Sequence, residues 1–349
     1  MNKPVFDRSD FQLCDVPVPK GYPQSQTHAG VAFNGVKFYL TTSPYPGPDY
    51  GVWEWRIMRM VRIMSFGKLC KIPNGEHFEN PCIYVGEKDV VGAPVQFELM
   101  QRTALMETPE EFNGLPSYNS DPDIYIEGDI IYVMNRSVIR TKIYEDHRPY
   151  DFDTRIYLMK GKDENKRFKL LSCNLVREGQ DPYVSPSLVK LQGKYIVGYL
   201  DNRIEGSGVV FNNLYLSSAN VIEEAIRSKY RYPIEVTSGN MIPWHISLFV
   251  QDETLYAIVT CVKKGDVSLK MWQMLGVFDK ELKKINIFPR PLTDLNSYRG
   301  SAIVDNEGMF VLYTPTVHEK IVGSKSIDGR DILVATKKFE DVLSQVKYE

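Results

Sequence analysis

Five stretches of this chain repeat one plan, and that repeat constrains the fold more than any other feature. They are "HAGVAFNGVKFYLTT" from His28, "SDPDIYIEGDIIYV" from Ser120, "SPSLVKLQGKYIVGYL" from Ser185, "HISLFVQDETLYAIVTC" from His245 and "RGSAIVDNEGMFVLYT" from Arg299. Each opens on a polar residue, takes a small or Pro-containing step, and runs through four or five mostly apolar residues to a turn. A second strand rich in aromatic residues follows. The turns are Asn34-Gly35, Glu127-Gly128, Gln192-Gly193, Asp252-Glu253 and Asn306-Glu307-Gly308, all residues suited to tight hairpins. Successive copies start 93, 64, 60 and 54 residues apart, counted from His28 through Asp121, Ser185 and His245 to Arg299.

Copies at these intervals predict an all-β, five-bladed propeller, an arrangement that limits exposed strand edges by radial repetition. The long first interval predicts an insertion in blade 1 over residues 45–78. The competing architecture is a β-sandwich whose hairpins resemble one another by chance. Helical periodicity is confined to two short segments. "ANVIEEAIRSKY" places Ile222, Ala225 and Ile226 on one face, with Asn220 as a candidate N-cap. "FEDVLSQV" does the same with Phe339, Val342, Leu343 and Val346. The expectation is one domain over residues 1–349.

Composition excludes several functions. With 43% hydrophobic and 25% charged residues, the chain suits a packed globular core rather than disorder. A net charge of −2 with scattered basic residues offers no nucleic-acid surface. The basic run Arg56–Arg62 lies in a Met-rich stretch that reads as part of the insertion. No stretch approaches the roughly 20 apolar residues of a membrane span. The N-terminus lacks an apolar core of signal-peptide length, so a cytoplasmic location is expected, or a virion location if the chain is phage-encoded. The cysteines at 14, 70, 82, 173 and 261 are isolated, which predicts reduced thiols and no zinc motif. No nucleotide-binding loop or nucleophile elbow is present.

In a propeller the first strand of each blade lines the central channel. Its opening residues, His28, Asp121, Ser185, His245 and Arg299, would meet at one rim. Two residues on, and on the same face of an ideal strand, come Gly30, Asp123, Ser187, Ser247 and Ser301. None of the ten is large and apolar, whereas the strands continue in Val, Ile, Leu and Phe. Polarity concentrated at one end of a channel predicts a site for a polar ligand.

Glycoside hydrolysis needs two carboxyl groups about 5–10 Å apart. Asp121 and Asp123 would stand about 6.5 Å apart by strand rise, but on the same wall of the pocket. Glu79 in "FENP" and Glu178 and Asp181 in "REGQDP" are the carboxylates that loops can bring to the rim. Asp121 reads equally well as a cap bonding its own backbone. His28, Asp121 and His245 form a two-His, one-carboxylate set of the metal-binding type, yet on three separate blades, and no metal or other cofactor is expected. Arg299 would either pair with Asp121 across the channel or hold an anionic sugar. Trp244 and Tyr298 are candidates for stacking on a sugar, as are Tyr45, Tyr50, Trp53 and Trp55, for which packing of the insertion is the plainer reading.

The ordered motifs "H-A-…-YLTTSPYP", "FENPCI", "SDPDI", "PWHISL" and "SYRGSAIV" over roughly residues 25–340 resemble the five-bladed propellers around glycoside hydrolase family 43. Within these, the chain is most similar to an uncharacterised bacterial and phage group. The resemblance implies an Asp base on blade 1, a modulating Asp on blade 2 and a Glu acid on blade 3. Asp121 matches the second of these, while His28 and Ser185 stand at the other two positions. A related propeller family that acts on marine polysaccharide uses a His as acid, and His245 is the candidate here.

The resulting expectation is a glycoside hydrolase-like protein acting on an oligo- or polysaccharide, with Asp121, His245 and Glu79 as catalytic candidates. His28, Asp123, Ser185, Trp244, Tyr298 and Arg299 are the candidates for binding substrate. The alternative is a non-catalytic glycan-binding or structural propeller, with virion components or further copies of itself as partners.

Overall fold

The computed structural model describes residues 3–19, 22, 24–45, 60–61, 64–65, 79–88, 92–101, 117–143, 149–164, 167–180, 182–205, 208–266, 268, 270–326 and 329–347. Within them the repeated hairpins extend outward into four-stranded antiparallel meanders. The first consists of β2 (Gln26–Phe33), β3 (Lys37–Pro44), β4 (Cys82–Glu87) and β5 (Glu98–Leu99). The second consists of β6 (Tyr118–Glu127), β7 (Ile130–Ile143), β8 (Pro149–Lys162) and β9 (Arg167–Gln180). The third holds β10 (Tyr183–Leu191), β11 (Lys194–Glu205), β12 (Gly208–Ala219) and β13 (Tyr232–Thr237). The fourth holds β14 (Met241–Gln251), β15 (Thr254–Lys263), β16 (Met271–Phe278) and β17 (Lys284–Ile287). It joins the third edge to edge through parallel pairing of β13 with β17. The last is β18 (Ser301–Val304), β19 (Met309–Pro315) and β20 (Ile332–Lys338), completed by the N-terminal strand β1 (Gln12–Leu13), which pairs with β20.

The first strands of the meanders stand side by side in a closed ring: β2 neighbours β6, then β10, β14 and β18 follow, and β18 returns to β2. That ring is a propeller and excludes a sandwich of two facing sheets. The turn chemistry explains the hairpins. Gly35, Gly128, Gly193 and Gly308 all have positive φ, and so do Gln192, Asp252 and Glu253. These are the left-handed conformations that two-residue hairpin turns require.

Apolar side chains fill the space between adjacent meanders, so the core is divided into several clusters rather than pooled in one. The predicted helices form as α1 (Ile222–Arg227) and α2 (Phe339–Lys347). Helix α1 buries Ile222, Ala225 and Ile226 as expected, but its N-cap is Val221 rather than Asn220, with no side-chain cap. Phe339 of α2 stacks on Phe310 at 5.8 Å and meets Phe249, which seals the fourth meander against the last. No helix among the described residues is long and apolar enough to cross a membrane. Tyr50, Trp53 and Trp55, most of the 45–78 insertion, and Asp181 lie outside the described residues.

Candidate functional site

At one end of the ring each of the first four inner strands carries a bulge. Register against the neighbouring strand shifts between Thr27 and Gly30, between Ser120 and Asp123, between Val184 and Ser187, and between Pro243 and His245. A bulge adds a residue to one strand and turns a side chain away from the regular alternation. His28, Asp121 and Ser185 sit in these bulges at φ of 56°, 50° and 52°. Left-handed backbone at a non-glycine residue costs energy and concentrates at functional sites. The bulges separate the aligned residues into two layers that do different work.

The outer layer holds His28, Asp121, Ser185 and His245, all at most 2% exposed. Asp121 Oδ1 lies 3.0 Å from His28 Nε2 and 3.7 Å from His245 Nδ1. Its other oxygen, Oδ2, meets Arg136 Nε at 2.5 Å and accepts the Ser185 backbone N–H at 2.8 Å. Ser185 Oγ stands 2.6 Å from His245 Nδ1. On the far side of His28, Glu79 Oε2 lies 3.8 Å from Nδ1. The half-buried Tyr298 ring packs on both imidazoles, with centroids 4.8 Å and 4.5 Å away. Trp244, the extra residue of the fourth bulge, packs edge-on against His245.

Protonation in this layer follows from burial and neighbouring charge. Burial pushes the Asp121 carboxyl up, but Arg136, then His28 and His245, outweigh it and hold it well below its ordinary value. Burial lowers both histidines, His245 strongly, against the pull of Asp121. At neutral pH the layer is therefore one carboxylate between two neutral imidazoles. Several of its atoms find no aligned hydrogen-bond partner among the described residues: both His28 nitrogens, His245 Nε2 and Asp121 Oδ1.

The inner layer holds Gly30, Asp123, Ser187, Ser247, Ser301 and, from the last meander, Arg299. Here the side chains of one strand bond to the next strand round. Asp123 accepts from Ser187 Oγ at 3.0 Å and from the Leu188 N–H at 2.7 Å. Ser187 accepts the Leu248 N–H at 2.8 Å, and Ser301 accepts the Val31 N–H at 3.2 Å and the Ser247 hydroxyl at 2.8 Å. Arg299 is the hub of this layer. Its guanidinium donates to the carbonyls of Ile246, Pro122 and Pro186 and to Asp123 Oδ1, while its own carbonyl accepts the Ala29 N–H. One residue thus ties its own meander to the other four. Gly30 is small because a Cβ there would stand 2.9 Å from Thr41 Cγ2 and 3.1 Å from the Pro122 carbonyl.

The structure thus gathers His28, Asp121, Ser185, His245, Glu79, Trp244 and Tyr298 around one point. Asp123 and Arg299 lie one layer deeper, engaged with each other at 3.3 Å and with the backbone. Arg299 pairs with Asp123 and not Asp121, because the bulge at Asp121-Pro122 turns Asp121 away from the face it would share with Asp123. Glu178 is exposed on β9, the outermost strand of the second meander. Tyr45 is half-buried beside Arg330, whose guanidinium lies 4.3 Å from its ring. Sequence reasoning missed Arg136, the counter-ion of Asp121. It sits opposite Ser120 in the register of β6 with β7, on a second strand that carries several polar and basic residues, so nothing in the sequence singled it out.

The donor set also suits a metal. The ligand atoms of His28, Asp121 and His245 all lie within 4.8 Å of one another and are buried. Their placement on separate meanders argued against a shared ligand set in the sequence, but closing the ring brings them together.

No family model matches this chain, and no curated protein matches it. Solved structures do. An N-acetylgalactosamine deacetylase from F. plautii, in complex with blood group B trisaccharide, superposes with a TM-score of 0.58 at 12% identity, covering 96% of this chain and 97% of that one. A xylan β-1,4-xylosidase from Bacillus halodurans C-125 gives 0.61 at 12% identity, over 92% of this chain and 54% of that one. An α-L-arabinofuranosidase from Lactobacillus brevis gives 0.56 at 9% identity, over 91% and 92%. At such identities the likeness establishes architecture alone. The fold is the β-propeller found in glycoside hydrolase family 43 enzymes.

Proposed function

We propose that this protein acts on a glycan at the mouth of its propeller channel, as a glycoside hydrolase-like enzyme. The observation that carries this reading is the convergence of Asp121, Glu79 and two neutral histidines at one rim, roofed by Tyr298 and Trp244. Asp121 and Glu79 flank opposite nitrogens of the His28 ring, which leaves them less than about 10 Å apart, the range over which paired carboxyl groups cleave glycosides. Asp121 stays ionised under Arg136 and stabilises positive charge developing on the sugar. Glu79 exchanges the proton with the glycosidic oxygen or with water, and His245 hydrogen-bonds the substrate. The faces of Trp244 and Tyr298 take the C–H side of a sugar ring. The similar solved structures of a xylosidase, an arabinofuranosidase and a deacetylase holding a trisaccharide support the substrate class.

A second reading, glycan binding without turnover, is favoured by the depth of the rim: the polar groups are nearly sealed and only the two aromatic rings are half-exposed. Incubating the purified chain with a panel of aryl glycosides and oligosaccharides, plain and acetylated, separates the two. Turnover that drops at least 100-fold in Asp121→Asn and in Glu79→Gln supports the enzyme. Binding of a glycan with no product supports the second reading. Neither binding nor product across the panel removes both.

A further inference from the structure

The outer layer contains buried polar atoms that nothing else in the described structure satisfies. Asp121 Oδ1 and His28 Nε2 are 3.0 Å apart, yet they do not meet with the alignment of a hydrogen bond. Leaving such groups unpaired in a dry site is costly, and a ligand that satisfies several at once resolves the cost. The separations are informative. Donors bound to one ion at roughly 2.0–2.2 Å with tetrahedral angles stand about 3.3–3.6 Å apart. Here Asp121 Oδ1 lies 3.0 Å and 3.7 Å from the two imidazole nitrogens. All three ligand atoms lie within 4.8 Å of one another, so the two imidazoles close on an ion by a shift of about 1 Å.

We infer that His28 Nε2, Asp121 Oδ1 and His245 Nδ1 bind a divalent first-row transition metal ion, with zinc as the reference case. Two imidazoles and one carboxylate select such ions over calcium or magnesium, which prefer all-oxygen sites. The surroundings are organised as they are around metal-bound histidines. Asp121 keeps Oδ2 for Arg136 and the Ser185 N–H, which fixes the carboxylate and leaves Oδ1 for the ion. Glu79 faces the opposite nitrogen of His28, where an outer carboxylate orients a ligating imidazole. Tyr298 stacks on both rings and sets their planes. Ser185 Oγ, now on His245 Nδ1, either turns away or becomes the fourth donor. Three protein ligands with a fourth, exchangeable position make a site of the catalytic type rather than a closed structural one.

This inference rests on geometry and does not require glycan turnover. The test uses the full chain, treated with a chelator, dialysed and titrated with Zn2+ by calorimetry, with Co2+ absorption as a second readout. The expected result is one equivalent of Zn2+ per chain, a rise in melting temperature with the metal, and an intense visible band for bound Co2+. Asp121→Asn and His28→Gln are expected to weaken binding at least 100-fold, while His318→Asn, an exposed histidine away from the site, leaves it unchanged. Should either site variant fail to fold, the native chain still decides through stoichiometry and the Co2+ band. Less than half an equivalent, or a weak spectrum like that of the hydrated ion, overturns the inference, as does unchanged binding in both folded site variants. Metal uptake without glycan turnover would leave this inference standing and remove the enzymatic reading. Turnover by a chain that binds no metal would do the reverse.

Discussion

The two layers at the head of the channel are made by the same strands, two residues apart, yet they are opposites. In the inner layer the polar side chains bond round the ring: Asp123 to the third meander, Ser187 to the fourth, Ser301 to the first, and Arg299 to the second, third and fourth. In the outer layer the polar atoms crowd together with incomplete hydrogen bonding. A satisfied buried network stabilises and specifies a fold, while an unsatisfied one costs stability and persists where a ligand needs it. The difference separates what holds the propeller together from what it is for.

The largest expected effect comes from breaking the hub. Arg299→Met removes the donors shared among three meanders and strands Asp123, so denaturant unfolding should show a loss of about 3–5 kcal/mol or no folding at all. A loss below about 1 kcal/mol would mean that the inner layer is not the fastening assigned to it.

Acid titration probes the outer layer. With a chelator present, the folded state keeps His28 and His245 neutral while the unfolded chain protonates them near the ordinary value of 6.5. The unfolded state then binds more protons, so stability is full above that value and falls as pH drops through it, by at most about 2.7 kcal/mol per pH unit for two histidines. Asp121 has the opposite charge type but the same sense: its contribution persists above its ordinary 3.8 and is lost only as pH falls through its depressed folded value. Denaturation midpoints that stay flat between pH 7.5 and 5.5 would contradict this. Gly30→Ala should cost about 1–3 kcal/mol through overpacking against Thr41 and Pro122, read from the melting temperature.

Much of the architecture was legible because it is encoded locally. Turn residues that tolerate left-handed backbone, such as Gly35 and Asp252, fixed the hairpins, and the recurrence of their first strands announced a ring. The five opening residues did converge on one end. The division of labour among them was not legible. Same-face reasoning from Asp121 to Asp123 assumes an unbroken strand, and a bulge breaks it there. Arg299 was aligned with Asp121 by position, yet its reach across the axis to Asp123 depends on the closed ring and leaves no trace in spacing. Arg136 lies on a second strand, outside the aligned set, and the N-terminal strand that completes the last meander carries only two paired residues.

The central claim, that one layer fastens and the other serves function, is tested most directly on a single strand. Ser185 and Ser187 are both fully buried on β10. Ser187 Oγ links Asp123 to the Leu248 N–H, while Ser185 Oγ hydrogen-bonds only His245 among the described residues. The measurement is the unfolding free energy of Ser187→Ala and Ser185→Ala against the native chain. The account predicts a loss of about 2–3 kcal/mol for Ser187→Ala, which orphans the Leu248 N–H and takes one donor from the buried Asp123 carboxylate, and about 1 kcal/mol or less for Ser185→Ala. Equal losses, or a larger one at Ser185, would contradict it.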